Sequence, residues 1–361
     1  MSKEAFLVLA DGSVYRGYFF GAEAEAFGEV VFCTSMIGYQ EMLTDPSYAG
    51  QILVPTYPLI GNYGTNEQDC ESSRIRVRGF VVREDCVRPS HYLSGGTVSD
   101  YLKAGGVPGI YGVDTRALTR RLRSAGVMMG MITARDPQRA LEELRQAPGY
   151  GATDFVRQVT TDSPYRWQPE GREELCHVVA LDCGLKYNIL RILNRLGAGV
   201  TVVPCTTPAS QILALEPDGI LLSPGPGDPD LLDYITATVS QLIDKKPVMG
   251  ICLGSQLIAR AFGGRNFKLK FGHRGGNHPV RDLANGRIHI TAQNHGYAID
   301  PDSLQNGLEV THINLNDGTV EGVRHRELPV FAIQYHSEAS PGPLDNTYLF
   351  DRFMEMIKES K

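Results

Sequence analysis

Short apolar runs alternate with segments of helical periodicity through the second half of the chain. Four of the runs have the length and composition typical of buried strands, and they are residues 177–181, 200–203, 219–222 and 247–251. A helical segment follows each run, and these segments are residues 186–196, 208–215, 234–245 and 255–262. Because parallel strands need such crossovers, the pattern predicts an open, doubly wound α/β sheet with its sites at the carboxyl ends of the strands.

The first part of the chain has another pattern, which predicts a mixed α/β domain over residues 1–150. A turn-forming Asp-Gly pair joins the first two of three runs of strand character, and the runs are residues 5–9, 14–20 and 28–34. Further along, Asp114 caps a predicted helix that ends at Gly126, and a second helix is predicted over residues 137–146.

A polar stretch punctuated by proline and glycine separates these two patterns. It covers residues 151–174 and carries the only tryptophan of the chain, Trp167. This composition predicts a linker that leads into a second domain over residues 175–361. Within that domain, residues 266–333 predict short strands and turns, and residues 345–358 predict a closing helix.

The segment 250–254 joins the fourth apolar run to the helix that follows it, and it reads GICLG. This is the G-x-S-x-G nucleophile elbow with sulfur in place of oxygen. A sharp strand-to-helix turn lifts the Cys252 side chain clear of the sheet, and the flanking glycines avoid a Cβ clash. The helix N-terminus favours a thiolate and offers free N–H groups to a developing oxyanion. For this motif alone, a buried structural cysteine is the alternative.

A second signal lies near the end of the chain. The apolar run 330–335 ends in His336, and Glu338 follows two residues later. A strand end that delivers a histidine, with an acid to orient it, supplies the base that a cysteine nucleophile needs. Together with the elbow, these residues predict a catalytic triad of Cys252, His336 and Glu338.

Three segments together resemble the class I (triad) glutamine amidotransferases. They are residues 250–256 (GICLGSQ), 223–229 (SPGPGDP) and 336–338 (HSE). Two others, residues 271–280 (FGHRGGNHPV) and 291–297 (TAQNHGY), resemble one branch of them, the small-subunit family of carbamoyl phosphate synthetases. The first half of the chain also resembles that branch. The resemblance implies a C-terminal doubly wound class I glutamine amidotransferase domain and an N-terminal mixed α/β domain that docks a partner.

The reaction expected of such a chain is hydrolysis of L-glutamine to glutamate and ammonia. Cys252 would attack the side-chain carbonyl, His336 would take the thiol proton and later protonate the departing ammonia, and Glu338 would hold the imidazole tautomer. Water would then cleave the γ-glutamyl thioester. The oxyanion is expected to lie against the backbone N–H groups of Leu253 and Gly225. The resemblance implies a glutamine site made of Ser47, Gly225, Gly227, Leu253, Gln256, Asn294, Gly296 and Tyr297.

No segment of the sequence resembles a P-loop or a metal-carboxylate nucleotide site. We therefore expect neither a cofactor nor a metal on this chain. The resemblance implies that a large synthetase subunit binds ATP and Mg²⁺, receives the ammonia and makes carbamoyl phosphate from bicarbonate.

Composition adds limits on partners and location. The formal net charge of −6 gives no reason to expect nucleic acid or an anionic membrane as partner. No apolar run approaches 18 residues, and the first residues lack the core of a signal peptide. Seven cysteines without a C-x-x-C pair predict reduced thiols, hence a cytoplasmic protein, and argue against zinc.

Three positions depart from the usual family pattern. Ser337 stands where most members have proline, Ser255 where histidine is frequent, and Pro224 where asparagine is usual. None of them removes a triad atom, but Pro224 lacks an N–H and Ser337 restores backbone freedom, which affects oxyanion geometry and the placement of His336.

Other functions remain compatible with the triad. The glutaminase subunit of another amidotransferase, such as one for anthranilate or guanylate synthesis, would share it but would not need residues 1–150. A stand-alone cysteine hydrolase of the same fold would need no partner. The third alternative is a non-catalytic regulatory subunit, against which the intact triad argues.

Overall fold

The computed structural model describes residues 3–169, 171 and 173–361. The chain divides into two compact units. The N-terminal unit comprises Met1–Thr153 and Lys270–Arg274, and the C-terminal unit comprises Asp154–Leu269 and Gly275–Lys361. Among the described residues, no helix combines the length and the hydrophobicity that crossing a membrane would require.

The described part of the N-terminal unit contains both strands and helices, as its sequence predicts. Its strands are β1 (Glu4–Leu9), β2 (Val14–Gly21), β3 (Ala26–Cys33), β4 (Gln51–Pro55), β5 (Leu59–Ile60), β6 (Gly79–Val81), β7 (Glu84–Asp85), β8 (Pro108–Tyr111) and β9 (Met128–Thr133). Its helices are α1 (Tyr39–Thr44), α2 (Val98–Ala104), α3 (Thr115–Ala125) and α4 (Pro137–Gln146). The predicted hairpin is β1–β2, whose register pairs Val8 with Val14.

The main sheet of this unit closes on itself in the order β1-β2-β8-β6-β4-β3-β9, because β9 pairs with both β3 and β1. Its interior is filled by fully buried aliphatic side chains, among them Leu7, Val30 and Ile52. Helix α3 adds Leu118 and Leu122 to this core. The predicted cap of α3 is confirmed, since the Asp114 carboxylate accepts a hydrogen bond from Ala117 N at 2.9 Å.

The described part of the C-terminal unit is built on a second sheet. Its strands are β10 (Tyr165–Trp167), β11 (Cys176–Asp182), β12 (Ala198–Pro204), β13 (Gly219–Leu222), β14 (Val248–Ile251), β15 (Asn266–Asp282), β16 (Ile288–Ile299), β17 (Leu308–Asn314), β18 (Val320–His325) and β19 (Val330–Ile333). Its helices are α5 (Val156–Val159), α6 (Tyr187–Arg195), α7 (Ala209–Ala214), α8 (Asp233–Ser240), α9 (Leu253–Ala261) and α10 (Tyr348–Glu359).

The strand order of this sheet is β10-β12-β11-β13-β14-β19-β18-β17-β15-β16. The four predicted parallel strands are present as β12, β11, β13 and β14, and β19 extends the parallel set beside β14. Strands β18, β17 and β15 continue the sheet antiparallel. The prediction of only short strands over residues 266–333 was wrong, because β15 has 17 residues and β16 has 12.

Helices cover both faces of this sheet, which confirms the doubly wound prediction. Successive β11 residues point to opposite faces. Val179 and Leu181 pack with α7, α8 and α9, whereas Val178 and Ala180 pack with α6 and α10. Within the segment predicted as a linker, β10 is an edge strand that pairs antiparallel with β12.

Candidate active site

Cys252 occupies the sharp turn that the elbow motif predicts. Strand β14 ends at Ile251, α9 begins at Leu253, and Cys252 between them has φ 53° and ψ −106°. Positive φ is a strained conformation for a residue with a Cβ, so the surrounding structure must hold it. One such restraint is the hydrogen bond from Cys252 N to Ile333 O of β19, at 2.8 Å.

The two glycines of the motif are required by close packing. A Cβ on Gly254 would overlap the carbonyl oxygen of Leu222, at the end of β13. A Cβ on Gly250 would lie 2.7 Å from Ile258 Cδ1 and 2.8 Å from the Gly254 carbonyl group. Helix α9 therefore lies close against the sheet, with the sulfur at the carboxyl end of β14.

His336 follows β19 by three residues and is held beside the same strand ends. Its backbone N donates to Ala292 O of β16 at 2.8 Å, and its Nδ1 lies 2.6 Å from Glu338 Oε1. The Nε2 atom is buried and has no hydrogen-bond partner among the described residues. With Nδ1 engaged by a carboxylate, Nε2 is the ring atom left for proton exchange with sulfur and substrate.

A lysine that was not predicted as a site residue completes this arrangement. Lys186 Nζ lies 3.0 Å from Glu338 Oε1 and donates to the Ala339 carbonyl at 2.5 Å. The Lys186 side chain is 2% exposed and the Glu338 side chain is fully buried. A sequence signal existed, because a lysine at the N-terminus of a predicted helix opposes the helix dipole and so calls for a specific anionic partner.

These neighbours set the charges of the buried pair. Burial alone would raise the pKa of Glu338, but Lys186 and His336 lower it to about 2. Burial alone would lower the pKa of His336, but the charges of Glu338 and Cys252 raise it to about 10. Near neutral pH the site therefore holds an ammonium, a carboxylate and an imidazolium in series.

The sulfur itself is almost fully buried, with Cys252 2% exposed. Two polar groups besides the histidine approach it. Gln334 Nε2 lies 3.6 Å from Sγ, and the Asn294 carbonyl oxygen lies 3.8 Å from it. All seven cysteines are free thiols, and Cys70 and Cys86 are more exposed than Cys252.

The loop that carries Gly225, one of the two predicted oxyanion donors, lies against Leu253, the other. A Cβ on Gly225 would lie 2.6 Å from Leu253 Cδ2, so the loop after β13 passes directly against the first turn of α9. Ser223 Oγ holds this loop, since it accepts from Cys183 N at 2.9 Å and donates to Pro224 O at 2.8 Å. Pro224 thus contributes its carbonyl group to this loop.

Three of the predicted glutamine-site residues meet close to Cys252. Gln256 Nε2 donates to Tyr297 O at 3.0 Å, and Tyr297 OH donates to Asp228 Oδ2 at 2.9 Å. Asn294 supplies the carbonyl group near the sulfur. Asp228 was missed by the sequence reasoning, although it lies within the Gly/Pro loop that was singled out.

The positions of three other residues predicted to bind glutamine, Gly227, Gly296 and Ser47, are as follows. Gly227, with φ 94°, lies in the loop after β13, and Gly296 lies in β16 between Asn294 and Tyr297. Ser47 belongs to the N-terminal unit, in the short turn Pro46–Tyr48. Its N donates to Asp45 Oδ1 at 2.9 Å, and its Oγ is buried without a hydrogen-bond partner among the described residues. Glutamine binding by these residues stays a prediction.

At two of the departures from the family pattern, the hydroxyl oxygen is buried without a hydrogen-bond partner among the described residues. Ser255, in the first turn of α9, and Ser337, between His336 and Glu338, are both fully buried. Neither replaces an atom of the triad.

Two family models match separate parts of the chain. The family model described as glutamine amidotransferase class-I matches residues 179–356. The model for the carbamoyl-phosphate synthase small chain, CPSase domain, matches residues 7–132.

Full-length relatives extend the match to the whole chain. The carbamoyl phosphate synthase small chain of Syntrophotalea carbinolica is 50% identical, and the alignment covers 99% of each chain. The protein of the same name from Aquifex aeolicus is 49% identical over 99% of this chain and 100% of its own. That of Staphylococcus epidermidis is 50% identical over 100% of this chain and 98% of its own. This chain therefore belongs to the family of carbamoyl phosphate synthase small chains.

Proposed function

We propose that this chain is the glutaminase subunit of a carbamoyl phosphate synthase. It hydrolyses L-glutamine to glutamate and ammonia and passes the ammonia to a large synthetase subunit. The observation that carries the proposal is the placement of Cys252 in a strand-to-helix elbow beside the buried His336–Glu338 pair. Family membership supports it independently.

The chemistry follows from the charges of the site. Cys252 Sγ attacks the side-chain carbonyl carbon of glutamine, and the oxyanion that develops lies against the N–H groups of Leu253 and Gly225. The C–N bond breaks as His336 gives its Nε2 proton to the departing nitrogen, which leaves as ammonia. A water molecule then attacks the γ-glutamyl thioester while His336 takes a proton from it, and glutamate leaves with Cys252 regenerated.

Glutamine recognition is proposed to use the residues around the sulfur and the loop after β13. Gln256, Asn294, Gly296 and Tyr297 would hold the substrate together with Gly227. Ser47 is proposed to donate or accept one more hydrogen bond, and its Oγ, buried without a hydrogen-bond partner among the described residues, supports this role.

The remaining chemistry is proposed to lie on the large subunit. ATP and Mg²⁺ would bind there, and carbamoyl phosphate would form there from bicarbonate and the transferred ammonia. No cofactor is proposed for this chain, so a chelator should leave its glutaminase activity unchanged. The free thiols support a reducing, cytoplasmic location.

The decisive test compares Cys252→Ser with the wild type, each assembled with a large synthetase subunit. Glutamine-dependent synthesis should be lost in the variant, while synthesis from added ammonia should remain. Cys86→Ser, at a half-exposed thiol, is the matched control and should keep both activities. Loss of both activities in Cys252→Ser would assign Cys252 to folding or subunit docking instead. Full glutaminase activity without any large subunit, and no complex with one, would favour a stand-alone hydrolase.

A further inference from the structure

A buried glutamine joins the nucleophile to the proposed glutamine site. Gln334 is fully buried, and its two amide atoms have different partners. Its Nε2 lies 3.6 Å from Cys252 Sγ, and its Oε1 accepts a hydrogen bond from Gln256 Nε2 at 3.0 Å. Its backbone N donates to Glu321 O at 2.9 Å, which fixes its place after β19.

The surrounding bonds determine which way this amide points. Gln256 Nε2 also donates to the carbonyl oxygen of Tyr297 at 3.0 Å, so Gln256 presents its nitrogen on this side. An NH₂ group needs an acceptor, and Gln334 Oε1 is that acceptor. The NH₂ group of Gln334 is therefore the one that faces the sulfur.

We propose that Gln334 is a positioning residue for the nucleophile, acting as a hydrogen-bond donor to the Cys252 sulfur and linking it to Gln256. The inference rests on the proposed glutaminase function. A hydrogen bond to the charged form of a group stabilises that form, so Gln334 favours the thiolate. A thiolate held by this donor also keeps one side-chain rotamer, which is the condition for attack on a substrate bound nearby.

The alternative is that Gln334 only satisfies Gln256 within the core. A buried amide costs free energy unless its polar atoms are hydrogen-bonded, so both readings explain why Gln334 makes these contacts. The two explanations differ in whether the hydrogen bond from Gln334 Nε2 stabilises the thiolate form of Cys252. If Gln334 positions the nucleophile, a variant without the donor should change the pH dependence of Cys252 alkylation. If Gln334 only satisfies Gln256, the same variant should change only the stability of the fold.

Two substitutions separate the readings. Gln334→Met removes both amide atoms at similar volume. Gln334→Glu keeps an oxygen for Gln256 but replaces the donor to sulfur with a second oxygen. The measurement is the rate of Cys252 alkylation by iodoacetamide from pH 5 to 10, followed on the full chain by peptide-resolved mass spectrometry.

We expect the pH of half-maximal alkylation to rise in both variants, more in Gln334→Glu because its carboxylate repels a thiolate. At pH values well below the half-maximal pH this should lower the alkylation rate about tenfold, as would follow from about one unit on the pH axis. In the complex with a large subunit, glutamine-dependent kcat should fall about tenfold. The KM for glutamine should change less, since the lost contact is to the nucleophile.

Gln293→Met is the matched control. Gln293 is a buried glutamine of β16 whose Nε2 donates to Glu321 Oε1 at 2.9 Å and to Thr291 Oγ1 at 3.1 Å. Its replacement should lower the unfolding temperature and leave the alkylation profile of Cys252 unchanged.

An unchanged half-maximal pH in whichever Gln334 variant folds, with wild-type kcat, would overturn the proposal. That result is distinct from failure of the proposed function. If Cys252→Ser kept glutamine-dependent synthesis, the nucleophile itself would be misassigned, whatever the behaviour of Gln334.

Discussion

Replacing Lys186 by methionine should destabilise the C-terminal unit and also remove a charge that keeps Glu338 of the predicted triad ionised. Lys186 is 2% exposed, and its ammonium group lies 3.0 Å from the carboxylate of the fully buried Glu338. Removing one partner of a buried ion pair costs about 3–5 kcal/mol, because the other charge stays buried without it. His336 still faces Glu338 in the variant, so we expect the lower end, about 3 kcal/mol.

The single tryptophan makes this measurement specific to one unit. Trp167 lies in β10, at the edge of the C-terminal sheet, so its fluorescence during denaturation by urea reports on that unit. Lys245→Met is the matched control, because Lys245 pairs with Asp244 at 2.9 Å while both side chains are 52% exposed. An exposed pair is worth about 0–1 kcal/mol, so this control should change little.

A double-mutant cycle tests whether Lys186 acts through Glu338. In a Glu338→Gln background the Lys186 ammonium has lost its carboxylate partner, so Lys186→Met should then cost little or even stabilise. The coupling between the two changes should reach about 3 kcal/mol, the difference between the cost of Lys186→Met in the two backgrounds. If the two effects added to within about 0.5 kcal/mol, Lys186 would not stabilise the fold through Glu338.

The pH dependence gives an independent readout. Because the pKa of Glu338 is lowered to about 2 from an ordinary value of 4.5, its ionised form stabilises the fold above pH 4.5. That contribution is lost as the pH falls towards 2. Without Lys186 the pKa of Glu338 should rise, so acid unfolding should begin at a higher pH. If the variant and the wild type unfolded at the same acidic pH, Lys186 would not be the group that lowers the pKa of Glu338.

Four further predictions concern other parts of the site. Gly254→Ala should destabilise the chain by about 1–3 kcal/mol in thermal unfolding and reduce glutaminase kcat, because its Cβ would overlap Leu222 O. The control is Gly149→Ala, which should change neither quantity because no atom lies within contact distance of the added Cβ. Limiting iodoacetamide should label Cys252 before the other thiols, and bound glutamine should protect Cys252 from labelling. Equal labelling of the more exposed thiols would count against the site. Ser47→Ala should raise the glutamine KM from a few-fold to about a hundredfold, with kcat less affected; an unchanged KM in a folded variant would remove Ser47 from the site. Because the pKa of His336 is raised to about 10, its protonated form should stabilise the fold fully below pH 6.5, and this contribution should be lost as the pH rises towards 10. In alkaline unfolding experiments, Glu338→Gln should make this loss smaller.

The sequence predicted the C-terminal sheet, the elbow at Cys252 and the pairing of His336 with Glu338 because all three depend on local patterns. Strands β11, β12, β13 and β14 are short apolar runs, each followed by a helical segment. The elbow is a five-residue motif, and His336 and Glu338 are two residues apart, so their 2.6 Å contact needs no knowledge of the rest of the fold. The rule that parallel strands present their carboxyl ends at one edge then brought Cys252 and His336 together.

The residues 266–333 were predicted less well, for a physical reason. Their strands alternate buried and exposed positions irregularly, and glycines such as Gly272 and Gly275, both with positive φ, interrupt β15. Glycine within a run of polar residues is an ordinary turn signal, so the pattern favoured turns. Pairing with neighbouring strands, which a single sequence does not display, decides that this stretch is extended.

Lys186 and Gln334 were missed because their partners are set by strand order, which periodicity does not encode. Lys186 follows β11 and Glu338 follows β19, and β13 and β14 lie between those strands in the sheet. An ion pair between them therefore requires the order of the strands as well as their direction. Each residue did leave one local sign: a lysine against the dipole of a helix N-terminus, and an amide within the apolar run 330–335. A polar group in a buried segment must find a polar partner, so each sign predicts that a contact exists, and only the fold shows that both contacts are made with the triad.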